Sequence, residues 1–210
     1  MNTVVKRVAA KSNLIPIQEL TPGAIAAIRN QIINKVVDQA CKAMNMSPDN
    51  LVVRDINPVV DLQMYSAGTT AATIEEWVYT ATTGTGYVSF TGAQTMADQR
   101  FMAIWGIRDM RFGLGPHATA SAGVTGRTFS PLIYSLMKIN VGGADKIIWD
   151  LTCMVPYTDN LVALSTTGII IPQNIAYNLS LYKTEALTDI PYRFQPIGCV
   201  VEPRGKRVSP

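Results

Sequence analysis

From residue 147 to 155 the apolar side chains fall on alternate positions: Ile147, Trp149, Leu151, Cys153 and Val155, with Asp150 and Thr152 among those between. A period of two places one set on a single face of an extended strand. The alternation recurs upstream in Ile133, Ser135, Met137 and Ile139, and downstream in Tyr177, Leu179 and Leu181 against Asn178, Ser180 and Tyr182. One apolar face needs a cover, and several such strands in a row imply a sheet packed on a sheet. The pattern predicts strands at 51–56, 59–65, 74–80, 87–91, 100–112, 132–140, 147–155, 161–164, 168–171, 176–182 and 198–201. Turn clusters such as Asn57-Pro58, Gly142-Gly143 and Pro172 separate them. Many short strands, with no helices to cover a parallel sheet, favour an antiparallel sandwich or barrel. Gly106, between Trp105 and Ile107, is a candidate bulge.

One segment has the helical period. Ile25, Ile28, Ile32, Val36, Ala40 and Met44 recur at three and four, with Arg29, Lys35, Asp38 and Lys42 off the stripe. Thr21-Pro22 reads as an N-cap and first helical residue, and Ser47-Pro48-Asp49 as the stop. The stripe must pack on the sheets or on a neighbouring subunit, so Ile25, Ile28 and Ile32 are candidates for a subunit contact. The predicted organisation is an extended basic arm over 1–20, an amphipathic helix over 21–46, a β-sandwich over 47–202 and a basic tail over 203–210. The helix is expected to be the N-terminal structural element.

Composition adds a constraint. Apolar residues are 48% of the 210, and charged ones only 16%, below the roughly 25% of soluble domains. Such a chain is expected to bury surface against copies of itself or other partners; the alternative is a neutral domain solvated by Thr, Ser and Asn. The net charge of +3 gathers at the ends, in Lys6, Arg7 and Lys11 and in Arg204, Lys206 and Arg207, while the body is slightly acidic. Those ends suit phosphates of nucleic acid or of lipid headgroups, or are simply solvated termini. The N-terminus has no apolar stretch of the secretory kind, and no run is long enough to span a membrane. Cys41, Cys153 and Cys199 are too widely spaced for a disulfide framework or a zinc pattern.

Catalytic chemistry is not visible. The glycine loop ending Gly126-Arg127-Thr128 has Ser121 where a phosphate loop needs its first glycine, and Arg127 in place of lysine. His117 is the sole histidine, which excludes a multi-histidine metal site; it sits in a small-residue loop as a solvated residue or a pH-sensitive contact. Arg108, Asp109 and Arg111 put charges at the end of an apolar strand, as an ion pair between subunits or at one domain's rim. Asp145 and Asp159, in loops flanking the 147–155 strand, are weak calcium candidates. No cofactor, small-molecule substrate or enzymatic activity is expected.

The basic arm, the amphipathic helix, the Thr- and Gly-rich strands from Leu51 to Val201 and the short basic tail together form a layout. It resembles the single jelly-roll coat (capsid) proteins of icosahedral viruses and bacteriophages. The resemblance implies a mainly β, antiparallel sandwich of jelly-roll type with one N-terminal amphipathic helix. It also implies a virion structural subunit, assembled in the host cytoplasm. Its partners would be copies of itself, other virion proteins and, through the basic ends, the genome or an internal lipid. It carries no catalytic residue. Two other classes remain open. One is a carbohydrate-binding sandwich stacking sugars on Trp77, Tyr79, Trp105 or Tyr157; the other is a phage tail-tube or connector subunit.

Overall fold

A computed structural model describes residues 14–57, 61–62, 79–80, 86–89, 94–109, 134–154, 162–183, 191–192 and 194–205. Among them the chain is mainly β, with one α-helix, α1 (Pro22–Met44). The strands are β1 (Leu14–Pro16), β2 (Leu51–Asp55), β3 (Tyr79–Thr80), β4 (Gly86–Ser89), β5 (Gln94–Thr95), β6 (Phe101–Asp109) and β7 (Tyr134–Val141). After them come β8 (Ala144–Asp150), β9 (Val162–Ile171), β10 (Ala176–Lys183), β11 (Pro191–Tyr192) and β12 (Phe194–Pro203). Two antiparallel sheets carry the fold. The first has the order β1-β9-β6-β12-β2. The second runs β4-β10-β7-β8, with β5 beside β10, and β3 and β11 form a separate short ladder.

Eight of these strands have four or more residues, and their pairing is nested. The first of the eight pairs with the last (β2 with β12) and the second with the seventh (β4 with β10). The third pairs with the sixth (β6 with β9) and the fourth with the fifth (β7 with β8). The hairpin tip is the two-residue loop Gly142-Gly143, with φ of +62° and +78°. Positive φ at both positions gives a turn whose twist matches that of the strands it joins, and glycine adopts it without strain.

Two apolar layers result. Between the sheets lie Met102, Ile104, Ile107, Ala163, Ile171 and Val200 from one side, and Met137, Ile139, Val141, Trp149, Tyr177 and Leu179 from the other. On the opposite face of the first sheet, Phe101, Ala103, Trp105, Val162, Leu164, Cys199 and Val201 pack under Ile28, Ile32, Val36 and Ala40 of α1. Each fully buried Ile or Val contributes about 1.5–3 kcal/mol relative to exposure, so the stripe holds the helix on its sheet. The Thr21 hydroxyl accepts from the Ala24 N–H at 3.2 Å. At the other end Asn45 turns left-handed (φ 52°) and the Met46 N–H reaches Cys41 O at 3.1 Å, closing the last turn.

Several expectations need correction. The helix is not the N-terminal element: Leu14–Pro16 pairs with β9 before it, since Pro16 bars a helix while Leu14 and Pro16 bury on alternate positions. The 147–155 strand stops at Asp150. The Asp150 carboxylate accepts from the Thr152 N–H at 2.9 Å and from its hydroxyl, bending 151–154 into a 3-10 turn that carries Cys153. Asp61 and Leu62, expected in a strand, form a helical turn, with the Asp61 N–H on Asn57 O at 2.8 Å. The strands expected at 161–164 and 168–171 fall, from Val162 on, within one strand, β9. Gly106 does mark a bulge: the register of β6 shifts there against both neighbours. The extra residue changes the phase, so Ile107 joins Met102 and Ile104 between the sheets instead of continuing the face of Trp105.

Candidate functional site

The densest polar grouping among the described residues closes one end of the layer between the sheets. Glu202 lies on β12, between β6 and the edge strand β2, and is only 4% exposed. In the antiparallel register Val200 sits opposite Arg54 and Glu202 opposite Val52, so Arg54 and Glu202 are diagonal neighbours on one face. Phe101 pairs with Val201, which brings Arg100 beside Glu202 from the other flank. The carboxylate is thus held between two guanidinium groups. Arg54 Nε bonds Oε1 at 3.0 Å. Arg100 Nε stands 2.8 Å from Oε2, but neither atom has an aligned hydrogen bond, so charge dominates that contact.

Asp61 completes the cluster. Both its oxygens take the Arg54 fork, at 2.6 and 2.7 Å, and one also accepts the Asn57 N–H at 2.8 Å. A two-point grip of this kind fixes orientation as well as charge. The Asp61 bond, chiefly, holds the Arg54 pKa above its ordinary value, against the opposing effect of burial. The Tyr177 hydroxyl, on β10 of the second sheet, donates to Asp61 O at 2.9 Å. The Gln94 side-chain amide serves the same end: its Nε2 donates to Leu62 O at 3.1 Å. Burial, aided by the Asp61 charge, pushes the Tyr177 phenol up to about 12. The grouping therefore ties β2, β12, Asp61 and Leu62 to the opposite sheet.

A cleft of about 120 Å³ opens beside it, lined by Asp61, Gln94, Met96, Arg100 and Tyr177 among others. Each guanidinium here is matched to a carboxylate, and the cluster supplies no nucleophile with a base. Its chemistry is that of a clamp. Among the described residues no group of three or more His, Cys, Asp or Glu is placed to hold a metal ion.

No family model, curated protein or solved structure matches the chain.

The residues expected to act at sites are dispersed. Ile28 and Ile32 are buried under the chain's own sheet, and Ile25, partly buried, packs against the same layer. Arg108 is exposed on β6; the Asp109 side chain and Arg111 lie outside the described residues. Asp145 accepts from Asn140 Nδ2 at 2.9 Å and stands 3.5 Å from Lys138 Nζ, a hairpin pairing across β7 and β8. Asp159, its partner as a calcium candidate, lies outside the described residues, as do His117, Lys6, Arg7, Lys11, Lys206 and Arg207. Arg204 is exposed just after β12, its N–H on Asn50 O at 2.7 Å. Trp105 is 4% exposed beneath α1, which removes it as a sugar-stacking surface; Trp77 and Tyr157 are outside the described residues.

Arg54, Arg100 and Glu202 were not singled out by sequence pattern. The usable signal was a charge inside or beside an apolar strand: Arg54 within 51–56, and Glu202 directly after Cys199-Val200-Val201. A single chain does not say that these charges face one another, because their partners are separated by up to 148 positions.

Proposed function

We propose that the chain is a coat subunit of jelly-roll type, assembling with copies of itself into the shell of a virus or bacteriophage. The observation that carries this reading is the nested pairing. Rolling up a hairpin of eight strands produces two four-stranded sheets, with the orders 1-8-3-6 and 2-7-4-5. Counted over the eight longer strands, the orders β2-β12-β6-β9 and β4-β10-β7-β8 follow that scheme. Jelly rolls serve capsids, lectins and cupins. Packing weighs against a use that holds its ligand between the sheets: Trp149, Met137, Ile139 and Leu179 fill that space. The helix covers the outer face of one sheet, and low overall charge suits a surface shared with neighbours.

In this reading Lys6, Arg7 and Lys11, with Arg204, Lys206 and Arg207, face the genome or an internal lipid, and the working location is the virion. The subunit binds no small-molecule substrate and performs no catalysis. Electron microscopy and light scattering of the purified full chain test it. Uniform closed particles of many copies support a shell. Tubes or rings would move the reading to a tail-tube or connector subunit, and a monodisperse monomer at high concentration would overturn it.

A further inference from the structure

We propose that the cleft beside the clamp binds a short-chain carboxylate, held on the Arg100 guanidinium and left chemically unchanged. The cleft measures about 120 Å³, and Arg100 forms part of its wall with Thr95, Met96, Ala97 and Val200. A guanidinium carries five N–H donors. Those of Arg54 are spent on Glu202, on the two Asp61 oxygens and on Asp55 O. Arg100 differs. Its charge is matched by Glu202 at 2.8 Å, but its buried Nε has no hydrogen-bond partner. Its terminal nitrogens make no hydrogen bond among the described residues and are not themselves buried. A planar carboxylate takes two such N–H groups in parallel, a fork that arginine provides and lysine does not.

The surrounding chain fixes that arginine in place. Arg100 follows Gln99, which is held in the left-handed region at φ 56°. Backbone of this kind persists only where its surroundings enforce it, and it collects at ligand sites. Here the Gln99 N–H meets Gln173 Oε1 at 3.0 Å, the Asn174 N–H meets Met96 O at 2.9 Å, and Asn174 Nδ2 holds Asp98 at 3.1 Å. Glu202, 4% exposed, meets the guanidinium from the buried side. Met96, Ala97 and Val200 give a carbon chain an apolar wall, and Thr95 adds a hydroxyl-bearing side chain to the lining. At about 30 Å³ per water the volume equals roughly four waters, which suits a carboxylate on a chain of about two or three carbons. Arg54 and Arg100 already balance Asp61 and Glu202. One added negative charge therefore suits the site better than a doubly charged phosphate. The site does not rest on the coat reading: a chain that forms no shell keeps it.

Calorimetric titration of the full chain at constant ionic strength tests it, with propionate as the probe. Propionate should bind saturably with Kd on the order of 1 mM. Propionamide, nearly the same shape without the charge, should bind at least about tenfold more weakly, and inorganic phosphate no more tightly than propionate. Absence of saturable propionate binding, equal binding of propionamide, or tighter binding of phosphate overturns the inference. Arg100→Lys keeps the charge and loses the fork, so it should weaken propionate at least about tenfold; unchanged affinity removes Arg100 from the site. Because Arg100 also meets Glu202, a second variant guards against a folding defect. Ala97 is exposed on the cleft wall, and Ala97→Phe should fill the cleft from its rim. It should abolish propionate binding while keeping the parent's urea midpoint, and parent-like binding by this variant places the ligand elsewhere and overturns the cleft.

Discussion

Asp61→Ala tests the clamp between the sheets. The substitution removes both oxygens gripped by the Arg54 fork and the acceptor of the Asn57 N–H. The Asp61 side chain is 4% exposed and that of Arg54 is 24%. Breaking a buried pair from one side costs about 3–5 kcal/mol, because the remaining charge stays desolvated and uncompensated. Arg54 keeps Glu202 and some access to water, so the lower end applies, about 3 kcal/mol. For a chain of this size each kcal/mol moves Tm by about 2–4 °C. Urea unfolding of the dissociated chain at neutral pH should show a lower midpoint at unchanged slope. The cycle with Arg54→Met should be non-additive by about 1–3 kcal/mol, since the second loss finds the pair already broken. An Asp61→Ala loss below about 1 kcal/mol, or additivity of the two changes, would refute the claim that this pair is a desolvated unit.

Three other outcomes are expected. Gly198→Ala should destabilise by about 1–3 kcal/mol or block folding, because an added Cβ would lie 2.0 Å from Ala103 O and 2.5 Å from Ile56 Cδ1; thermal unfolding within about 1 °C of the parent would contradict this. Ile32→Ala should cost about 2–5 kcal/mol by denaturant unfolding, since Ile32 is 2% exposed between α1 and the first sheet. At alkaline pH, burial raises Cys199 from 9.0 to about 12 and Tyr177 from 10.0 to about 12. The folded state thus favours their neutral forms, a contribution that is complete below the unfolded values and lost as pH rises through the folded ones. The urea midpoint should fall between pH 9 and 12, with Cys199 resisting thiol reagents until unfolding. A flat midpoint over that range would count against burial as the cause.

The helix was almost wholly legible in the chain. Thr21-Pro22 starts it, the three-and-four spacing names the buried residues, and Ile28, Ile32, Val36 and Ala40 are the ones buried. The positions of β2, β6, β7 and β10 were legible for the same reason: alternation is a local property, and so is the tight turn demanded by Gly142-Gly143. What the chain alone could not decide depends on contacts between distant segments. The end of β8 at Asp150 is the local exception: its carboxylate accepts from Thr152 two residues on, a side-chain turn that the apolar alternation hides. The phase of Ile107 depends on an extra residue opposite Ile197 and Gly198, about ninety positions away. Glu202 looks like a tail charge until β12 is set between β2 and β6, which places Arg54 and Arg100 on either side of it. Periodicity states which face of an element is apolar, and only the pairing of strands across the chain states what that face meets.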